Sequence, residues 1–570
     1  MIFQSLISLY DRLGDSVPSF GFSVEDIGFV ITLDNAGNLV GQPEDLRTKI
    51  NSQKYEFRTS VVPYTNQVNV RSGNASTTPN FMVDKADYIF GFSGKSEKKK
   101  YRDSFKNRVD EVCGESDDAG IVAVKAFLEK WNPADSTGLD YWKEICGTHG
   151  KMVAFRLDGD SELIHNRPAV IELWSAFLEK VTYKKGISFV DGCTHPLQTQ
   201  YAQFPFGSGA SLVSFNESAY ESYGKSKGEN APISITAEFK STTALKYLLR
   251  SRIQRLRIGD ATTVFWAEKE SKMETFLGCV LNPSVEDTQA MVPVQKFLEA
   301  VRKGTLPNEI EAESDVKFYI LGLSLNKARL ALRFWYVCTV TELMQRLRDH
   351  FRCLEIEHSD KELSFPGIWH LLKETARETK DISPVLGGAL VRSILTGASY
   401  PQNLYQGVMG RIKADRRVNY MRVSIVKAVL QRNHKKEVPM ALDTERRDAA
   451  YLLGRLFAVL ERAQLDALGK VNTTIKDRFF SSASATPASV FPRLIRLSQH
   501  HIEKADYGYV SDRRISEILE YIHDFPHHMN LQDQGLFAIA YYHQKNSIER
   551  EIKDNAAKKR AGSAEGGKNE

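Results

Sequence analysis

Ala450-Tyr451-Leu452-Leu453-Gly454-Arg455-Leu456-Phe457 is the stretch that decides the architecture. It lies in a helical pattern that runs unbroken from a capping Asp443 to Leu468, with Gly469 as the stop. Ala449, Leu452, Leu453, Leu456, Phe457, Leu460, Ala463 and Ala467 recur at spacings of three and four. The pattern covers about 26 residues, or roughly 39 Å of helix. A second helix starts at Asn530, which can accept from the turn above it while Asp533 sits three residues on, and Leu536, Phe537, Ile539, Ala540 and Tyr541 turn inward. Stripes of this kind bury against one another. The chain from Tyr400 to Asn546 therefore reads as a helical bundle, and no catalytic motif lies in it.

One flank of that bundle is basic. From Arg411 to Lys436, the cations Arg411, Lys413, Arg416, Arg417, Arg422, Lys427, Arg432, Lys435 and Lys436 meet only Asp415. A solvated helix face is the plain reading of such a run. The rest of the chain argues for more, since 76 Lys plus Arg against 71 Asp plus Glu leave a net charge of +5 over 570 residues. Charge concentrated on a nearly neutral protein makes a local field for phosphates, and binding through it weakens with salt.

A 42% hydrophobic, 10% aromatic composition supports packed cores, and the length allows roughly two to four domains. No apolar run reaches the roughly 18 residues of a membrane helix. The start Met1-Ile2-Phe3-Gln4-Ser5-Leu6 lacks a basic region followed by a cleavage site and reads as the first helix of a domain, so the expected compartment is the cytoplasm. Cys113, Cys146, Cys193, Cys279, Cys338 and Cys353 show no C-x-x-C spacing and are read as small core residues, without disulfide or metal. The histidines 500, 501, 523 and 527, with Asp524, make the best case for a metal-dependent phosphohydrolase. Pro526 breaks the helical spacing between His523 and His527, which weakens that case, and no cofactor is implied.

Towards the N-terminus, Ile27-Gly28-Phe29-Val30-Ile31-Thr32-Leu33 reads as a strand closed by turn chemistry at Asp34-Asn35. The polar run from Asn66 to Asn80 cannot build a core. It is either a surface linker or a reader of duplex edges, with Asn66, Gln67, Asn69, Ser72 and Asn74 able to donate to minor-groove acceptors, Arg71 suited to a phosphate or a narrow groove, and Gly73 between them. Lys95, Lys98, Lys99, Lys100 and Arg102 then put five positive charges in eight residues, which suits a backbone clamp or a solvated loop.

An amphipathic piece runs from Ile121 to Trp131, a strand from Met152 to Leu157, and a helix around Thr242 to Arg250. The glycines at 207 and 209 lack the further residues of a nucleotide-hydrolysing loop. Phe318 to Val337 reads as a hairpin turning at Asn326-Lys327, with Leu330, Leu332, Phe334 and Tyr336 on one face and Arg329, Ala331, Arg333 and Trp335 on the other. A charged helix from Leu343 to about Asp360 follows, and Phe365-Pro366-Gly367 marks a boundary.

The fold class is α+β, with a mixed α/β N-terminal and middle region of antiparallel strands and hairpins before the C-terminal helical bundle. The expected segments are 1–130, 131–365 and 366–548, with a disordered tail at 549–570.

Several local words occur together and in order: Arg71-Ser72-Gly73 with Phe81, Gly209 to Asn216, Asn230-Ala231-Pro232, Val264 to Trp266, Leu321-Gly322-Leu323-Ser324 through Arg333-Phe334-Trp335, Asn472 to Phe479, and Tyr541 to Gln544. With them the whole chain resembles the large subunit of the type I-C CRISPR surveillance complex, Cascade, of the Dvulg subtype. The resemblance implies a non-enzymatic subunit of an RNA-guided complex, in which guide pairing reads the target while this subunit reads the flanking motif on double-stranded DNA. It further implies help in opening the duplex, a hold on the displaced single strand, and docking of the helicase-nuclease. The implied partners are the crRNA with its backbone subunits, the crRNA-processing handle-binding subunit and a small helical subunit.

On that account the polar loop reads the motif and Lys95 to Arg102 clamp its backbone. Arg411, Lys413, Arg416, Arg417, Arg422, Lys427 and Arg432 hold single strand, with Tyr405 and Tyr420 stacking bases. Met421 and Met440 are candidate internal starts for a separate small subunit. The rival readings are the histidine-based nuclease and a stand-alone RNA-binding protein.

Overall fold

The β-branched and aromatic residues around Phe29 extend backwards into one long strand, Phe22–Leu33, covered on both faces. It pairs in parallel with Met152–Leu157, Ile31 opposite Phe155 and Leu33 opposite Leu157. On its other side it pairs antiparallel with Arg58–Pro63, Val24 opposite Val61, and with Glu44–Asp45. Gly28 sits where the register slips. A Cβ there would lie 2.1 Å from the Gly150 carbonyl oxygen, so the bulge admits only glycine.

The computed structural model describes residues 1–566 except 52–53, 66–77, 94–95, 148–149, 205–209, 216–217, 282–295, 297, 301–314, 327–328, 360 and 470–471. The chain divides into two compact units, Met1–Ser251 with Leu325–Ala331, and Arg252–Ser324 with Leu332–Glu570. This differs from the segmentation expected at 130 and 365. The parallel pairing of Phe22–Leu33 with Met152–Leu157 ties the second segment's first strand to the first segment, a long-range contact that composition does not announce.

In the first unit, the helices Lys99–Cys113, Ala119–Lys130 and Pro168–Glu179 pack Phe105, Val109, Val124, Phe127 and Trp174 onto Phe29, Ile31 and Phe155. Ile27, Val30, Val62 and Ala154 form a smaller core on the opposite face. Asp118 caps the helix Ala119–Lys130 by accepting from the Ile121 amide at 3.1 Å. The first helix, Ile2–Leu13, packs against Ile235–Arg250, whose N-cap is Ser234.

Arg255–Ile258, Ala261–Ala267, Lys317–Asn326 and Arg329–Thr339 follow one another across a sheet; these strands belong to the second unit except at Leu325–Ala331, and the expected hairpin supplies the last two. Its turn at 327–328 lies outside the described residues. The two-faced alternation expected for the returning strand is corrected in part. Leu332 is half exposed, whereas Trp335 is partly buried, its ring stacked 5.8 Å from Tyr319 and tilted 5.6 Å from Trp266. A Cβ on Gly322 would come within 2.3 Å of the Phe334 ring, which explains the glycine in that strand. The helix Pro384–Thr396 lays Gly387 and Gly388 on Ile258 and Ala261.

The bundle follows. Thr339 and Glu342 form a capping box that starts Val340–Leu354. The helix expected from Asp443 starts later and spans Ala449–Leu468, with Gly469 at φ +63° as its C-cap. Asp443 instead caps a turn, accepting from the Glu445 amide at 2.9 Å. The helix is buried all round from Ala450 to Glu461 rather than along a stripe, because Ile475–Ala485, Pro487–Lys504, Gly508–Leu519 and Leu531–Gly566 surround it.

The start at Asn530 holds as expected, with the Asp533 amide donating to its side chain at 2.9 Å. The tail expected to be disordered is helical to Gly566. After Asn546 it holds mainly Glu, Lys, Arg and Ala with no proline, all strong helix formers, and its root is tied by the ion pairs Arg514–Glu551 and Arg550–Glu357. Among the described residues no helix is long and apolar enough to cross a membrane.

Candidate nucleic-acid interface

The polar loop's reading residues Asn66, Gln67, Asn69, Arg71, Ser72, Gly73 and Asn74, and Lys95 of the clamp, lie outside the described residues. The base of the loop is described. The Thr65 hydroxyl donates to the Pro79 carbonyl at 2.7 Å, the Thr65 amide to the Asn80 side chain at 3.3 Å, and the Asn80 amide to Asp84 at 2.8 Å. Thr65, Asn80 and Asp84 are fully buried. Both ends of the polar segment therefore leave from one rigid point at the end of Arg58–Pro63.

Beside that point the structure adds residues the sequence reading missed. A cavity of about 240 Å³ is lined by Ser23 and Val24 of the long strand and by Glu238, Thr242, Lys246 and Arg250 of the helix Ile235–Arg250. Lys246 lies over the Tyr64 ring at 5.3 Å, and Arg250 donates to the Val24 carbonyl at 2.5 Å. Burial pushes the Lys246 ammonium below its ordinary value, while Glu25 and Glu238 work against that. Burial raises the Glu238 carboxyl, which accepts from the Ala202 amide at 2.9 Å and from Thr242 at 3.1 Å. The sequence signal was the four-residue spacing of Lys246 and Arg250 on one helix face, next to the Tyr64 that opens the polar loop only in space.

The clamp divides. Lys99 and Lys100 are exposed and Lys98 half-buried at the N-terminus of Lys99–Cys113, the positive end of a helix, where cations cost stability rather than add it. Arg102 does not belong with them. It donates to the carbonyls of Leu128 and Trp131 at 2.7 and 2.6 Å, closing the end of Ala119–Lys130, and burial lowers its basicity.

The basic run in the second unit divides in the same way. Arg422, Lys427 and Arg432 are buried, which corrects the expectation that they face a polyanion. Arg422 reaches Glu374 at 2.7 Å, Asp415 at 2.5 Å and the carbonyls of Arg411 and Arg417 at 3.2 and 3.0 Å. Lys427 donates to the Cys353 carbonyl at 3.3 Å, and burial lowers its ammonium to about 8. Arg432 lies 4.2 Å over the Tyr400 ring and donates to the Ser393 carbonyl at 3.2 Å. Arg411 is held by Asp415.

The expected stacking residues are also inside. The Tyr405 hydroxyl donates to the Leu531 carbonyl and that of Tyr420 to the Leu363 carbonyl, each at 2.9 Å. Exposed charge remains at Arg416, Arg417 and Lys435, with Lys413 half-buried. Arg478 and Arg493 are exposed as well, and Arg493 lies 5.7 Å over the Phe479 ring. They were missed because the arginines of that bundle stand far apart in sequence.

Among the described residues, the histidines 500, 501, 523 and 527 do not converge into a ligand set. Cys113 and Cys338 are buried, and burial pushes both thiols up to about 12. Cys193 is exposed, which corrects its reading as a core residue.

No curated protein matches the chain. The family model described as CRISPR-associated protein (Cas_Csd1) matches residues 6–548, nearly the whole chain, and the protein belongs to that CRISPR-associated family.

Proposed function

We propose that the protein is the large subunit of a type I-C RNA-guided surveillance complex in the cytoplasm. Without bond-breaking chemistry of its own, it reads the flanking motif on duplex DNA, helps open the duplex, holds the displaced strand and recruits a helicase-nuclease. The observation that carries this reading is the buried hydrogen-bonded base at Thr65, Asn80 and Asp84, which gives a core-incompatible run of Asn, Gln, Ser and Arg a fixed point of departure. A rigid base lowers the entropy lost when a loop orders on a groove. Lys246 and Arg250 beside it supply cations for the adjoining backbone.

The test replaces Asn66, Gln67, Arg71, Ser72 and Asn74 together with alanine in the assembled complex. Motif-dependent target binding is lost while guide assembly stays intact; undiminished motif preference defeats the proposal. Cleavage of DNA by the isolated protein with a divalent metal would defeat its non-enzymatic part.

A further inference from the structure

The cysteine that departs from the core keeps unusual company. Asp191 and Cys193 sit in the turn of the hairpin Lys185–Ile187 with Thr194–Pro196 and His195 on its returning strand, and one ligand atom of each lies within 4.8 Å of the others. His195 Nε2 is 2.8 Å from Asp191 Oδ2. The other carboxylate oxygen, Oδ1, accepts from the Cys193 amide at 3.0 Å, which orients the carboxylate and leaves Oδ2 towards the histidine. The Ser188 amide donates to the Cys193 carbonyl at 2.9 Å and the Gly192 amide to the Ser188 carbonyl at 2.8 Å, so the turn that carries Asp191 and Cys193 is itself fixed.

We propose that Asp191, Cys193 and His195 bind one zinc-class divalent ion, with the fourth position left to water or to a donor from outside the chain. Tetrahedral zinc with bonds of about 2.0–2.1 Å to nitrogen and oxygen and about 2.3 Å to sulfur spaces its ligand atoms about 3.3–3.6 Å apart. The His195–Asp191 contact must therefore open by about half an ångström and the sulfur close by about 1.2 Å at most, both within reach of side-chain rotation. One thiolate, one imidazole and one carboxylate suit zinc or cobalt, whereas magnesium and calcium favour oxygen donors alone. The carboxylate and thiolate together neutralise a divalent charge, and all three groups are open to solvent at the hairpin tip, so the ion has a path in.

The experiment titrates the full-length protein, stripped by a chelator, with cobalt(II) and zinc(II). It follows the thiolate-to-cobalt charge-transfer absorption and the metal retained through gel filtration. One ion per chain is expected, with zinc displacing cobalt. Cys193→Ser abolishes the charge-transfer band, Asp191→Asn and His195→Ala weaken binding at least tenfold, and Cys279→Ser changes nothing. Circular dichroism identical to the parent shows that these surface variants are folded. Absence of retained metal in the parent protein, or a band that survives Cys193→Ser, overturns the assignment.

Discussion

Arg422→Ala tests whether the basic run from Arg411 to Lys436 is one binding surface or two populations with different work. Arg422 is 6% exposed and sends its donors to Glu374, Asp415 and two carbonyls. Truncation takes the guanidinium away from two carboxylates and two carbonyl oxygens, with Arg411 left on Asp415 and the Asn419 side-chain amide on Glu374. Breaking a buried pair costs about 3–5 kcal/mol. Because the Glu374 and Asp415 side chains are 21% and 27% exposed, water recovers part of this. A loss of about 2–3 kcal/mol remains.

For a unit of roughly 300 residues the entropy of unfolding is about 0.6 kcal/mol per kelvin, so its thermal midpoint should fall by about 4 °C. Melting followed by circular dichroism measures this. Arg417→Ala, at an exposed position, should stay within about 0.5 kcal/mol of the parent. Target-duplex affinity measured well below the transition should show the converse: retained by Arg422→Ala, lowered by Arg417→Ala. An Arg422→Ala protein that melts with the parent and binds DNA as weakly as the Arg417 variant would refute the division.

Reversing Lys413, Arg416 and Arg417 to glutamate should weaken duplex binding for every sequence, and the slope of log affinity against log salt should shrink by about 0.9 per lost phosphate contact. An unchanged slope removes that surface from the interface. Gly454→Ala places a Cβ 2.3 Å from the Phe537 carbonyl oxygen and 2.8 Å from Ala540 Cβ, so Ala449–Leu468 and Leu531–Gly566 must separate, at about 1–3 kcal/mol in urea unfolding.

Acid should destabilise the bundle through His543. Burial lowers its imidazole to about 4, with Lys427 adding to the shift, and Nδ1 lies 3.0 Å from the Tyr451 hydroxyl. The fold keeps this ring neutral, while the unfolded chain takes up a proton near pH 6.5, so its stability is present above that pH and drains away between about 6.5 and 4. At about pH 5 the loss is about 2 kcal/mol, and His543→Gln should show a correspondingly flatter pH profile.

What the sequence determined by itself was the set of local decisions. Asn530 lies where a cap must lie, Gly469 ends its helix, and Met152–Leu157 and the hairpin follow from period and β-branched composition, whereas the cap expected at Asp443 belongs to a turn before its helix. These depend on neighbours within a few residues, so they are written in the chain. The order of unusual words likewise pointed to a CRISPR-associated family, and the family match bears that out.

Tertiary structure alone decided which charges are available. Helical period places Arg417 and Arg422 in one basic run, but only the approach of Glu374, distant in sequence, makes Arg422 an internal tie. The same holds for Arg102 under Leu128 and Trp131, for Lys427 under Cys353, and for the encirclement of Ala449–Leu468. A cation buried against carbonyls and one in water have the same letter. Their energies differ because desolvation is a property of the surrounding fold, and that is set by contacts between residues tens to hundreds of positions apart.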